Sequence, residues 1–227
     1  MGDSAGSADG LVRLTELVPF LRWRLGEPGS DELVGSELAA DPEVLSRHVR
    51  GSSPAWGTDD PQVLASLWWQ AYAYRVGGTT LACWALSGAA PDASLAGTAV
   101  GIARHRPSSV IYNSSSLAVT ELRSLLDSLF GGHLDRVAAS LRSGHRIGEQ
   151  LLWGNAAAAV TSALTTLASA EGAPPIAERV QEVTAALPHD MPRLGVWVDD
   201  HYRRKTCCLW WKTPASKGGY CSDCSLR

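Results

Sequence analysis

Four of the five cysteines crowd into one short stretch, Cys207-Cys208-LWWKTPASKGGY-Cys221-Ser222-Asp223-Cys224. A segment this small cannot close a hydrophobic core of its own. It must be cross-linked, hold a metal centre, or lean on the rest of the chain. Disulfide frameworks belong to oxidising compartments. The opening MGDSAGSADG lacks the basic start and apolar centre of a secretory signal. No unbroken apolar run reaches the roughly 18 residues that a membrane span needs. The expectation is therefore a cytoplasmic chain without a membrane span, whose clustered cysteines serve metal or redox chemistry. Cys83 stands apart in the apolar segment LACWAL and reads as a buried small hydrophobe.

Spacing narrows the chemistry without closing it. Four thiolates suit tetrahedral zinc or an iron–sulfur cluster. Structural zinc usually takes two Cys-x2-4-Cys knuckles, and Cys221-x-x-Cys224 has that form. Cys207 and Cys208 are directly adjacent, and neighbours in an extended chain point to opposite sides. Both reach a single ion only through a contorted turn, whereas a two-iron cluster offers separated ligand positions. Gly218-Gly219 would let the backbone fold closely over the centre. A cluster fits best, with zinc and thiol redox chemistry still open.

The rest of the chain reads as helices with turn punctuation. Asp60-Pro61 opens a helix that Gly77-Gly78 is expected to close, and Asp41-Pro42 opens a shorter one. A stripe from Leu122 to Leu129 is expected to stop at Gly131-Gly132, followed by a short helix to Gly144. A long helix spans about 147–170, and Pro174-Pro175 introduces another to about Ala186. Residues 95–119 differ: TAVGIARH and SVIYNSSSLAV are β-branched and alternating, with a hairpin turn expected at Arg106-Pro107-Ser108. The expected fold is α+β, mainly α-helical with a β-hairpin and a short C-terminal cluster-binding segment docked on the helical body. The divisions are a flexible tail at 1–10, a body at 11–198 and the cysteine segment at 199–227.

The tail sequence RRKTCCLWWKTP…GGYCSDC resembles the C-terminus of the FhuF-like siderophore-iron reductases. Two internal blocks are similar as well: ASLWWQAYAYRVGGTTLACWALSG, and HLDRV…RIGEQLLWGNAAAAV with its Trp153-Gly154-Asn155. The resemblance implies that Cys207, Cys208, Cys221 and Cys224 ligate a [2Fe–2S] cluster. It further implies an oxidoreductase that passes one electron to siderophore-bound ferric iron, of the hydroxamate type in particular. An external donor such as a ferredoxin or flavoprotein would resupply the electron. The spacer between the cysteine pairs is slightly longer than in the family pattern, and the extra length can loop out at 216–219. A zinc-stabilised interaction module, or a ferredoxin-like carrier that binds no siderophore, is the alternative.

Other residues are candidates by position. Residues 201–227 carry Arg203, Arg204, Lys205, Lys212, Lys217 and Arg227 against Asp223 alone, although the whole chain has net charge −3. Basic residues interleaved with Trp and Tyr suit nucleic acid, but the adjoining thiols favour a cluster environment instead, and no nucleic-acid partner is expected. Arg203, Arg204 and Lys205 would stabilise the more negative, reduced state. Trp210 and Trp211 would shield the cluster or line the substrate approach. Trp68, Trp69, Trp153 and Asn155 are expected near the substrate cleft, with packing the competing role. His133, His145, His189 and His201 show no metal-ligand spacing. No Walker or G-x-G-x-x-G sequence appears, and no Ser-His-Asp or paired-carboxylate motif supports a hydrolase.

Overall fold

Caps that the sequence announces begin two of the helices of this computed structural model, which describes residues 4–30, 32–113, 118–198 and 201–227. Residues 1–3 of the expected tail, 114–117 of the expected second strand, and 199–200 at the expected domain boundary lie outside the described residues. Helix α1 (Ser4–Leu17) already starts inside the segment read as a tail, and it buries Leu11 and Leu14. After α2 (Gly35–Ala40), Asp41 caps α3 (Pro42–Gly51) by accepting from the amides of Glu43 and Val44. The short α4 (Ser53–Trp56) precedes α5 (Pro61–Ala73), where Asp60 accepts from Gln62 and Val63. Each such cap contributes about 1 kcal/mol.

The two glycine pairs do not stop their helices. Helix α5 widens into a π-helical turn, Tyr74–Gly78, and runs on as α6 (Thr79–Ser87). Likewise α7 (Leu122–Leu126) passes through a π-helical stretch, Asp127–Leu134, into α8 (Asp135–Gly144). The reason at the first pair is tertiary. The long helix α9 (Glu149–Ala168) crosses there, and a Cβ on Gly78 would stand 2.9 Å from the Ala163 methyl. Packing against α9 outweighs the weak helix propensity of glycine. Gly78→Ala should therefore destabilise the protein by about 1–3 kcal/mol, although alanine is the better helix former by about 1 kcal/mol. A lower urea midpoint is the expected reading, and an unchanged or higher one would contradict this packing argument.

By length and composition α9 is apolar enough to cross a membrane, contrary to the reading of the sequence. Here it is the central core helix, with Trp153, the run Ala156–Ala159 and Leu164 buried. Helix α10 (Ala177–Ala186) packs beside it.

The strands form a small mixed sheet. Strands β1 (Trp23–Leu25) and β2 (Glu32–Val34) are its edges, and β3 (Ala90–Pro91) lies apart. The expected hairpin is β4 (Thr98–Ala103) with β5 (Arg106–Tyr112), giving the order β1-β5-β4-β2, and β6 (Ala118–Val119) pairs with β3. The turn falls at Arg104-His105, both at positive φ, and not at Arg106-Pro107-Ser108, which belongs to β5. Two residues at positive φ suit the right-handed twist of a tight hairpin. Trp68 Nε1 donates to the His105 carbonyl at 3.0 Å and anchors that turn. A second hairpin, β7 (Gly195–Val198) with β8 (His201–Arg204), leads from the body to the cysteines. The fold is mainly α with a small β component.

Candidate functional site: a cysteine-lined cleft

Period-two alternation along β8 decides which basic side chain turns inward. Arg204 is buried, while Arg203 and Lys205 are exposed. The Arg204 guanidinium donates from Nε to Asp223 Oδ2 at 2.7 Å, forms an ion pair with the same carboxylate, and donates from Nη1 to Asn155 Oδ1 at 3.0 Å. Asn155 Nδ2 in turn donates to the Ser66 carbonyl and hydroxyl at 3.1 and 2.8 Å. The Ser66 hydroxyl donates to the Cys208 carbonyl at 2.8 Å. One chain of hydrogen bonds thus fastens both halves of the cysteine segment to α5 and α9. Burial opposes the Arg204 charge, but the neighbouring Cys208, Asp223 and Cys221 raise its pKa overall.

Gly154 permits this docking. A Cβ there would lie 2.0 Å from Thr206 Oγ1, just ahead of the first cysteine. Gly154→Ala should push the segment off α9 at a cost of about 1–3 kcal/mol. The expected result is loss of any colour of the purified protein at lower urea than loss of helical circular dichroism. Transitions identical to those of the wild type would rule out this contact as a docking constraint.

The four sulfurs share one neighbourhood. Leu209 at positive φ supplies the sharp turn that the adjacent pair requires, and its amide donates to Cys207 Sγ at 3.4 Å. The Leu226 amide does the same for Cys224 Sγ at 3.4 Å. Cys208 and Cys224 are buried, Cys207 and Cys221 half-buried. Cys208 Sγ and Cys221 Sγ approach to 3.6 Å. Their hydrogen bond draws Cys208 down to about 6, helped by Arg204, and it holds the Cys221 thiol far above its ordinary value. Burial raises Cys207, and the nearby Cys208 and Cys224 add to that rise. Among the described residues, no three His, Cys, Asp or Glu side chains are arranged around a single metal ion. The spacer continues through Trp210–Lys212 and Pro214–Ser216 and turns at Lys217 and Gly218, both at positive φ, where the extra length was expected to loop.

Beside Cys208 and Cys221 opens a cleft of about 890 Å3. Its walls include Trp56, Gln70, Tyr74 and Arg75 on one side and α9 on the other. Helix α9 contributes Ser162, Thr165 and Thr166, and its C-cap Ser169 extends them into a polar stripe at i, i+3, i+4 and i+7 along an otherwise apolar helix. That stripe was visible in the sequence and is the signal that would have found this wall. Tyr74 and Arg75 open the π-helical turn, a feature often found where a side chain is re-aimed at a site.

The aromatic candidates divide. Trp210 lies on the cleft wall, edge-on to Trp56 at 6.0 Å, and Trp211 is exposed on the surface. Trp68 and Trp69 are fully buried, with Trp69 Nε1 donating to the Leu152 carbonyl at 2.8 Å. Trp153 is buried and stacks on His189 at 3.9 Å. These three face the core, and Asn155 spends its amide on Ser66 and Arg204, so none of the four offers a surface to substrate. The helices that carry them do form the cleft, through other faces. His133 is likewise internal: Nε2 meets the Tyr72 hydroxyl at 2.6 Å, Nδ1 meets the Ala93 carbonyl at 2.7 Å, and burial pushes it down to about 4.

Residues 66–192 match the family described as "Ferric iron reductase FhuF-like transporter", which is more than half of the chain. The chain belongs to the FhuF-like family. The match begins at Ser66, whose hydroxyl holds the Cys208 carbonyl, and it takes in Arg75, Asn155 and the polar stripe of α9. The four clustered cysteines lie beyond it. Membership in the FhuF-like family supports a ferric iron reductase type of function, an oxidoreductase, in general terms. No curated protein matches the chain.

Proposed function

We propose that this chain is a ferric-siderophore reductase in which Cys207, Cys208, Cys221 and Cys224 hold a [2Fe–2S] cluster at the edge of the substrate cleft. The observation that carries this reading is the shared wall: Cys208 and Cys221 line the same 890 Å3 cavity as Gln70, Tyr74 and Arg75. Its volume lies within the range of about 300–1,000 Å3 usual for small-molecule sites. The chemistry of the donor set, four thiols in one short segment, suits a cluster. The Cys208 and Cys221 sulfurs approach to 3.6 Å, Cys207 and Cys224 each accept a backbone N–H, and the buried Arg204 cation lies beside Cys208 and Cys221, all of which support this reading. Hydrogen bonds to sulfur and nearby charge are the means by which a protein sets such a centre's potential.

When bound, such a cluster supplies one electron at a time. The residues of this chain do the rest. Arg204 offsets negative charge on the thiolates, and Trp56 and Trp210 cover the approach with apolar surface. Gln70 offers its amide to a polar chelate, and Thr165 and Thr166, whose hydroxyl protons go to carbonyls of their own helix, offer acceptor oxygens. Ferric iron is a hard cation bound tightly by hydroxamate oxygens, and ferrous iron is held far less firmly, so adding one electron frees the metal and leaves the chelator intact. A zinc-stabilised module would explain the four thiolates but gives no reason for a cleft opening on two of them. A reducing cytoplasm and an external one-electron donor, a ferredoxin or flavoprotein, complete the proposal.

The test is single turnover. Protein reduced without oxygen is mixed with ferric hydroxamates and ferric catecholates, and a ferrous-specific indicator is followed together with visible absorption. Reoxidation with matching ferrous release is expected, fastest with hydroxamates. A colourless protein carrying stoichiometric zinc, or reduced protein that stays reduced beside every chelate, would remove the proposal.

A further inference from the structure

The cleft continues into a second pocket of about 390 Å3, and the two share Trp56, Ala71 and Arg75. Three arginines, Arg22, Arg75 and Arg106, line this arm, and no carboxylate does. Arg22 is placed by its backbone, and the Arg75 and Arg106 side chains are held by neighbours. The Arg22 carbonyl accepts from the Val110 amide at 3.0 Å. Arg75 donates to the Phe20 carbonyl and lies 5.4 Å from the Tyr74 ring centroid. Arg106 sits over the Trp56 ring at 4.8 Å.

Elsewhere the fold neutralises such groups: Arg24 pairs with Glu32, Arg50 with Glu43 and Arg204 with Asp223. Among the described residues none of the three arm arginines has an ion-pair partner. Arg106 Nε and Trp56 Nε1 are buried donors without a hydrogen-bond partner among the described residues. Burial lowers the Arg75 pKa, and the adjacent Arg22 charge presses the same way. Holding like charges together in a chain of net charge −3 is an arrangement that an anionic ligand would relieve.

We infer that this arm is an anion subsite, which receives a carboxylate of the ferric chelate at a distance from the iron. Resting on the reductase reading, this names the class of substrate: chelates with a free carboxylate are preferred over neutral ones. The planar guanidinium matches a carboxylate with two parallel hydrogen bonds. Trp56 joins the arm to the cysteine end of the cleft, since it contacts both Arg106 and Trp210.

Two ferric trihydroxamates with identical iron-binding groups make the test, one bearing a free carboxylate and the other its methyl ester. Binding to the oxidised holoprotein is read by quenching of tryptophan fluorescence, and electron transfer by single turnover. The wild type should bind the carboxylate form more tightly. The preference should fall about tenfold to a hundredfold in Arg75→Gln and again in Arg106→Gln, since a charge-assisted bond contributes about 1.5–3 kcal/mol and each 1.4 kcal/mol is a factor of about ten. Arg22→Glu, at an exposed position, should reduce it without any packing at stake. Equal affinities in the wild type, or a preference that survives all three changes, would overturn the subsite while leaving the reductase reading intact. Carboxylate-selective binding with no reoxidation of either chelate would do the reverse.

Discussion

Cys207→Ser, Cys208→Ser, Cys221→Ser and Cys224→Ser should each purify without most of the wild-type visible absorption, whereas Cys83→Ser keeps it. Serine removes the soft thiolate and leaves a hydroxyl that stays protonated at neutral pH. The four positions differ in burial, but each belongs to one charge-linked group. Cys83 is the internal control. It is fully buried beside Gly10 and Ser87, its Sγ lies 3.4 Å from the Ala89 carbonyl, and burial pushes its thiol up to about 12. Such a thiol is protonated and remote from the cleft. Iron and sulfide analysis would accompany the spectra. Full cluster occupancy in Cys208→Ser would end the four-thiolate assignment, and bleaching by Cys83→Ser would relocate the site.

Arg204→Met should be the most damaging change outside the cysteines. It fills a similar volume but strands Asp223 and leaves Asn155 Oδ1 without its donor. Breaking a buried ion pair from one side typically costs about 3–5 kcal/mol. The loss should fall on the cysteine segment first, so visible absorption disappears at lower urea than helical signal. Where the centre survives, removing the adjacent cation should lower its reduction potential, because the reduced state carries the extra negative charge. Arg203→Gln and Lys205→Gln, at exposed positions, should each stay within about 0.5 kcal/mol. Redox titration and paired urea curves on the three variants separate these outcomes. Equal effects at 203, 204 and 205 would mean that overall tail charge matters and the buried pair does not.

Much of this architecture can be read from local signals. Asp41-Pro42 and Asp60-Pro61 start helices because cap and N1 chemistry act within a few residues. The β-branched residues of 98–112 mark a hairpin through their strand propensity, and the paired ends of both strands, residues 98–101 and 110–112, are buried on both faces. The first glycine pair misleads because its reason lies far away in sequence: Gly77 and Gly78 make room for Val160 and Ala163. The tryptophans mislead differently. Their size marks the core as readily as a binding wall, and only the packed fold shows that Trp68 and Trp69 face inward while Gln70 and Arg75 line the cleft. Two signals were within reach: the hydroxyl stripe of α9, and the alternation that turns Arg204 inward between two exposed neighbours. The arginine arm was not, since Arg22, Arg75 and Arg106 come from three separate elements.

The bond from Ser66 to the Cys208 carbonyl joins residues 142 positions apart, and the one from Arg204 to Asn155 spans 49. Contacts between segments so distant in sequence form late, because a long loop must close before they contribute anything. Synthesis runs the same way, since both anchoring helices leave the ribosome before the cysteines do. The body is thus expected to fold before the thiols reach their places. For a chain that holds the proposed cluster, iron and sulfide would then be delivered to a nearly finished protein, and an error in α5 or α9 would surface as a failure of cluster maturation.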